Sequence, residues 1–380
     1  MQALRYDGEA FWAAMQRSLE GSLDPSERAD AYAMLAFQTS IRSGMWRTRP
    51  RRSQIEEWVE RTLELAEDGS VARARALLAR AEADPAQASD GVLREAAELA
   101  ERIGDPMLRS YAFAARSHAA FERRRFHDAL LWMERRLEFV PEIDDPDHRC
   151  EAYESAVPVV AVVGRFAEAK RLASEHWEIA RRLTAHHRVH SLSLLLELAD
   201  VMGDWHAIAE ETARVVAAVD ENRATPCVRN ARDLFVLAVA QLCLGDEVGA
   251  RELERRGELV TGVGHERALS PPRLRMALVR GDASTVRELA KMPLQRTFVW
   301  GGSAYGTRLD ALVALGDREA IEREAPELVQ ARTVVEPFAL RALGAARGDD
   351  ELLAQADECF TALGLEWHRS QTERLLAGIG

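Results

Sequence analysis

A Gly-Asp pair recurs in this chain where one apolar stretch ends and another begins: Gly104-Asp105, Gly203-Asp204, Gly245-Asp246, Gly281-Asp282, Gly316-Asp317 and Gly348-Asp349. The glycine and aspartate contents would give roughly one such pair by chance, so the repetition carries structural information. Glycine tolerates the left-handed conformation that ends a helix, and aspartate accepts hydrogen bonds from the free N–H groups that open the next one. A link this short leaves the two helices antiparallel. The pattern predicts an all-α chain built from helical hairpins.

Taking Arg124, Gly164, Gly203, Gly245, Gly281, Gly316 and Gly348 as turn positions gives intervals of 40, 39, 42, 36, 35 and 32 residues, the spacing of helical-hairpin repeats. Five residues after each turn stands a small or apolar side chain: Ala129, Ala169, Ile208, Ala250, Val286, Ile321 or Leu353. An aromatic follows the first three turns by two residues, as Phe126, Phe166 and Trp205, and the later repeats lose it. Apolar residues recur at helical spacing, as in Leu130, Met133, Leu137 and Val140, and no segment alternates with period two, so strands are not expected. Asp24-Pro25, Asp105-Pro106 and Asp145-Pro146 add helix starts, and Glu27 completes a capping box with Asp24. Residues 1–69 are off this period, with helices near 8–20, 26–42 and 52–67. They read as a non-repeating helical lead-in packed on an array of repeats over 70–380. Helices near 70–82 and 91–103 open the array, and irregular stretches are expected near 220–227, 261–271 and 292–302.

The chain carries 50 basic and 62 acidic side chains, a formal net charge of -12. That field repels phosphate backbones and anionic lipid, which argues against nucleic acid as a direct partner and against a membrane surface. The longest apolar runs, at 156–164 and 191–199, are about half the length needed to span a bilayer and read as buried helix. Cys150, Cys227, Cys243 and Cys359 lie far apart, with no C-x-x-C pair and no secretory leader, so neither a disulfide framework nor a zinc module is expected and a reducing cytoplasm fits.

The motifs that carry chemistry are incomplete. Ala169 and Ala290 precede the only lysines, Lys170 and Lys291, where a phosphate-binding loop needs glycine before lysine. The stretch WGGSAYG at 300–306 precedes a helix and reads as a loop. As a nucleophile elbow it fails, with Tyr305 in place of the second glycine and no strand before Ser303. In HHRVH, His186 and His190 have metal-ligand spacing on one helical face, but two ligands do not make a site without a further partner such as Glu197. They read as residues of a solvated or groove-lining face. The arginine clusters at 47–52 and 123–125 read as solvated charge, and Trp132, Trp177, Trp205 and Trp367 as hairpin core. Glu210, Glu211, Asp349, Asp350 and Glu351 suit the positive ends of helix dipoles. No catalytic, cofactor-binding or metal-ligating residue is expected, and no cofactor.

The turn glycine with an aromatic two residues on and alanine five residues on, as in GRFAEA at 164–169, resembles the tetratricopeptide repeat. Further segments resemble the helical region that follows the ATPase domain in LuxR-type activators and class III adenylate/guanylate cyclases. They are RSGMW at 42–46, IEEWVERTLELA at 55–66, VARARALLARA at 71–81, AAELAERIGDPMLRSYA at 96–112 and LGLEWHRSQTERLLA at 363–377. That resemblance implies a bacterial regulatory module that binds an inducer or partner. The chain departs from the family in lacking a Walker lysine, the cyclase domain and a helix-turn-helix after Leu376. The expectation is a right-handed α-α superhelix of about twenty helices in which each hairpin touches mainly its neighbours. Its concave face, lined by the first helix of each hairpin, is expected to bind a protein partner or segment without chemistry, in signalling or transcriptional regulation. The alternative is a sensor of a small-molecule effector.

Overall fold

The computed structural model describes residues 6–21, 23–292 and 301–378. Among these the chain forms 21 α-helices joined by short links, and no strand. The Gly-Asp pairs sit where the sequence puts them. Gly104, Gly203, Gly245, Gly281, Gly316 and Gly348 all have φ between 64° and 88°. The following aspartate caps the next helix in every case, with side chains accepting from, for example, the Ala207, Gly249 and Ala320 N–H groups. At five of the six the aspartate's own N–H also reaches back to close the preceding helix, as from Asp246 to the Gln241 carbonyl at 2.8 Å and from Asp282 to that of Ala277 at 2.9 Å. Arg124 takes the same left-handed conformation, φ 59°. The Asp24–Glu27 capping box is formed in both directions.

The chain divides into two compact units, residues 1–152 with 224–227 and residues 153–223 with 228–380. In the first, the alanine-rich helix Val71–Ala83 packs against Pro25–Ile41, Arg52–Leu65, Asp90–Ile103 and Pro106–Glu122. Ala74, Ala76, Ala79 and Ala81 are buried, and their small side chains let four helices approach one. Trp12 meets Trp46 and Trp58 edge-on, with ring centroids 6.3 and 6.0 Å away.

In the second unit the helices preceding the turns, Ala185–Met202, Val228–Cys243, Glu266–Arg280, Gly301–Leu315 and Val335–Arg347, form an inner layer. The helices after the turns, such as Glu247–Val260 and Asp350–Leu363, form an outer layer and bury one stripe: Ala250, Leu253 and Gly257, or Leu353, Ala356 and Phe360. The position five residues after each turn, from Ala129 to Leu353, is buried in all seven hairpins. Contacts here go beyond nearest neighbours. Helices Gly301–Leu315 and Glu366–Leu376 both pack on Ala185–Met202. The His368 ring nitrogen Nε2 lies 3.1 Å from the Val201 carbonyl, and the Val334 N–H donates to the Val162 carbonyl at 2.7 Å. The unit therefore closes on itself, and its inner helices are covered on nearly every side.

Two expected irregular stretches are shorter than the sequence suggested. Helix Glu266–Arg280 begins inside 261–271 and continues through Pro271 and Pro272. Those prolines have no N–H to give the Arg267 and Ala268 carbonyls. Ser270 Oγ donates to the first at 2.8 Å and Arg232 to the second at 2.9 Å, so the helix survives. The second, 292–302, falls on residues 293–300, outside the described residues, and on Gly301 and Gly302, which are helical. Most of WGGSAYG is thus the first two turns of helix Gly301–Leu315 rather than a loop before it. Gly306 stands there because the Phe338 ring lies 2.8 Å from where a Cβ would be.

The turn glycines differ in what an added methyl would meet. Gly245, at φ 88°, has open space around it, so Gly245→Ala costs the backbone strain alone, about 1 kcal/mol. At Gly203 a Cβ would lie 2.9 Å from Trp367 Cβ, and Gly203→Ala costs roughly 1–2 kcal/mol more through overpacking. Urea denaturation of the two variants should rank them in that order.

Candidate functional site

The inner helices of the second unit carry charge where their surroundings are apolar. Val228–Cys243 reads VRNARDLFVLAVAQLC and leaves none of its residues exposed, Arg229, Arg232 and Asp233 included. A buried charge is tolerated only when paired, and here one inner helix supplies the counter-charge for the next. Arg229 donates to Glu197 Oε1 at 2.7 Å and to Glu154 Oε1 at 2.9 Å, and His190 Nδ1 lies 2.8 Å from Glu154 Oε2. Ser193 Oγ donates to Asp233 Oδ2 at 2.5 Å. Further along, Asp310 sits between Arg275, at 2.9 Å, and Arg341, while Arg341 also donates to the His368 carbonyl at 2.9 Å. The result is a ladder of largely buried ion pairs in two groups, one around Arg229 and one around Asp310, each joining adjacent helices.

Burial and neighbouring charge set the protonation states. Burial would raise the Glu154 carboxyl, but His190 and Arg229 hold it well below the ordinary range. Glu197 is raised by burial, against the pull of Arg229 and Arg232. Burial brings Asp233 up to about 7 and Arg232 down to about 10, which leaves that guanidinium charged at neutral pH.

The histidine pair lies elsewhere than on a solvated face. His186 is buried and His190 half-buried, their ring centroids are 4.1 Å apart, and His190 is engaged by Glu154. Burial, with His190 and His187 adding to it, keeps His186 well below its usual pKa and neutral. Of the two settings expected, a solvated or a groove-lining face, the solvated one does not hold, because their helix is covered on this face too.

Serine meets histidine among the described residues, with His176 Nδ1 2.9 Å from Ser191 Oγ and, in the first unit, His148 Nε2 2.8 Å from Ser110 Oγ. All four side chains are buried, and burial lowers His176 to about 3 and His148 to about 4. A nucleophilic serine must meet its substrate, and these are sealed in the packing.

The arginine clusters are largely solvated, with Arg47, Arg49, Arg51, Arg52 and Arg125 exposed, and some of their members also tie helices together. Arg49 donates to the Thr39 and Ser40 carbonyls, Arg52 pairs with Asp84, and Arg123 with Asp90 at 2.7 Å. Of the tryptophans, Trp205 is core, whereas Trp132, Trp177 and Trp367 are half-buried, with Arg116 over Trp132 at 4.5 Å and Arg214 over Trp177 at 4.6 Å. None of the four cysteines is in a disulfide, and no described helix is long and apolar enough to cross a membrane.

Beside the ladder lies a small pocket, walled by Val157, Pro158, Val162, Leu198 and Val201, with Gly302 at one side and Glu197 as its one charged lining residue. Sequence reasoning named Glu197 only as a supplementary metal ligand, and it missed Glu154, Arg229 and Asp310. The signal available was charge interrupting otherwise continuous apolar helices.

No protein-family model and no curated protein matches the chain. Among solved structures it is similar to the crystal structure of a Rap protein complexed with competence and sporulation factor. The two share 14% sequence identity with a TM-score of 0.51, over 93% of this chain and 96% of that chain. At that identity the likeness establishes the fold, a tetratricopeptide-like all-α helical repeat.

Arg229→Met leaves Glu154 and Glu197 buried without their shared cation and should cost about 3–5 kcal/mol, read as a fall in urea midpoint. Arg229→Lys should recover only part of this, because one ammonium cannot span both carboxylates as the guanidinium fork does. His176 is depressed in the native state, so between pH 6.5 and about 3 the unfolded chain binds its proton first and stability falls with acidification. His176→Gln should flatten the pH dependence of unfolding by up to about 1.4 kcal/mol per pH unit in that window.

Proposed function

We propose that this chain is a non-catalytic regulatory module that binds a protein segment against its inner helices, within bacterial signalling or transcriptional regulation and in the cytoplasm. The observation that carries this reading is the state of the inner face. Among the described residues its titratable groups are held by one another in ion pairs and hydrogen bonds, which leaves no acid, base and nucleophile converging on open space. The solved Rap structure of similar fold holds competence and sporulation factor, a precedent for ligand binding by such a scaffold. A net charge of -12 favours a partner with basic groups through long-range attraction. The matching segments quoted above suggest that the module descends from the helical regions of LuxR-type or cyclase-type regulators, with 1–69 as a lead-in to the repeats. Binding of a small effector is the second reading, and the pocket beside Glu197 is the feature that favours it.

Immobilised full chain, crosslinked in lysate of its source organism, should capture a defined protein. Hydrogen exchange on the purified complex should then show new protection in 154–162 and 185–202. Protection confined to outer helices such as 247–260 and 350–363 would refute the inner-face assignment.

A further inference from the structure

The second unit ends in a helix that closes it through few side chains. Of the 11 residues of Glu366–Leu376 only His368 and Thr372 are buried, and the sequence EWHRSQTERLL is mostly polar. The helix follows Gly364, at φ 70°, and its contacts with Asp350–Leu363 and the Arg341 hydrogen bond to the His368 carbonyl hold it to the end of the array. Its hold on Ala185–Met202 comes from two neighbouring residues. Trp367 lies against the Gly203 turn and meets the Trp205 ring edge-on, with centroids 5.1 Å apart, and His368 Nε2 lies 3.1 Å from the Val201 carbonyl. A carbonyl only accepts, so Nε2 carries the proton and Nδ1 is the bare nitrogen. Among the described residues nothing donates to Nδ1.

The surroundings of this ring suit a neutral imidazole. The charged groups that face it are cations, Arg275 from Glu266–Arg280 and Arg341 from Val335–Arg347. The Asp310 carboxylate, from Gly301–Leu315, is committed to both guanidiniums, and Glu366 and Glu373 on the histidine's own helix pair with Arg369. Asp350–Leu363 brings the Phe360 ring and Val335–Arg347 the Phe338 ring, with centroids 5.7 and 4.6 Å from the imidazole. A proton on Nδ1 would set a third positive charge beside two others in a buried place, on an N–H with no acceptor. In water the same imidazole takes its proton near pH 6.5 at no such cost.

We infer that Glu366–Leu376 is an acid-released clasp: protonation of His368 detaches this helix from Ala185–Met202 and uncovers Val201, Trp205 and Phe338. All three side chains are buried in the closed unit. Burial and the two arginines hold His368 well below its usual pKa when the clasp is closed, and opening removes both causes. The clasp is therefore at full strength above about pH 6.5 and weakens as the pH falls below it, by about tenfold per pH unit for the one proton taken up. The inference stands apart from the inner-face reading, since the helix opens with or without a partner.

Hydrogen exchange of the full chain at pH 7.5, 5.5 and 4.5 tests this, with rates expressed as protection factors to remove the intrinsic pH dependence of exchange. Protection in 366–376 should fall about tenfold from pH 7.5 to 5.5 and about tenfold again at 4.5, while helix 228–243 keeps its protection over the first step. His368→Gln keeps a donor for the Val201 carbonyl but has no titrating ring, so protection in 366–376 should be flat across the range. His176→Gln removes a different buried histidine of the unit and should leave the fall in 366–376 as it is in the unsubstituted chain. That second variant carries the assignment where His368→Gln loosens the helix at every pH. Protection in 366–376 that ignores pH, an equal fall in His368→Gln, a fall of the same size in 228–243, or its disappearance in His176→Gln would overturn the inference.

Discussion

The structure depends on a hydrogen-bonding economy at its turns, in which one aspartate closes the helix behind it and opens the helix ahead. A helix end leaves unsatisfied carbonyls and the next start leaves unsatisfied N–H groups. At Gly203-Asp204 the Asp204 N–H answers the Ala199 carbonyl while its carboxylate answers the Ala207 N–H. The glycine's positive φ is what turns the chain so that one residue reaches both. With so little chain between them, the two helices must pack against each other from their first turns. Each hairpin thereby presents one helix inward and one outward.

That division has an electrostatic consequence. Helices covered on nearly every side cannot send long polar side chains to water, so any charge they carry must find its complement on an adjacent inner helix. Arginine suits this role because a single guanidinium can bridge two acceptors on different helices, as Arg229 bridges Glu154 and Glu197, and Arg341 reaches both Asp310 and the His368 carbonyl. The chain's near-absence of lysine, which composition alone assigns to coding bias, is compatible with an interior built on forked donors. Replacing such pairs with aliphatic residues would not need to lower stability. What the pairs add is registry: a hairpin shifted by one turn would separate Asp310 from both of its arginines.

The hairpins were legible because their signals are local. A positive-φ glycine, a capping aspartate and a buried small residue five positions on all lie within one turn of each other, and Gly245, Asp246 and Ala250 illustrate the set. The irregular stretches were less legible. Pro271-Pro272 reads as a break until Arg232, far off in sequence, is seen to satisfy the carbonyl that the second proline releases. The self-closing contacts of the second unit were not legible at all. Nothing near Trp367 or His368 announces that they meet Gly203 and Val201, because 167 residues separate His368 from its acceptor. The ladder shares this limit. A charge within an apolar helix can be read as needing a partner, but which partner depends on how hairpins stack.

The same reasoning explains why the histidine cluster misled in both directions. Spacing of four residues puts His186 and His190 on one face whether that face meets solvent, a metal or another helix. What decides among these is burial supplied by other hairpins, and burial acts first on protonation: a covered imidazole with arginine nearby stays neutral, and His186 does so. His190 is engaged by Glu154, whose carboxylate is itself committed to Arg229. Each side chain's state is thus set by the next one along the ladder.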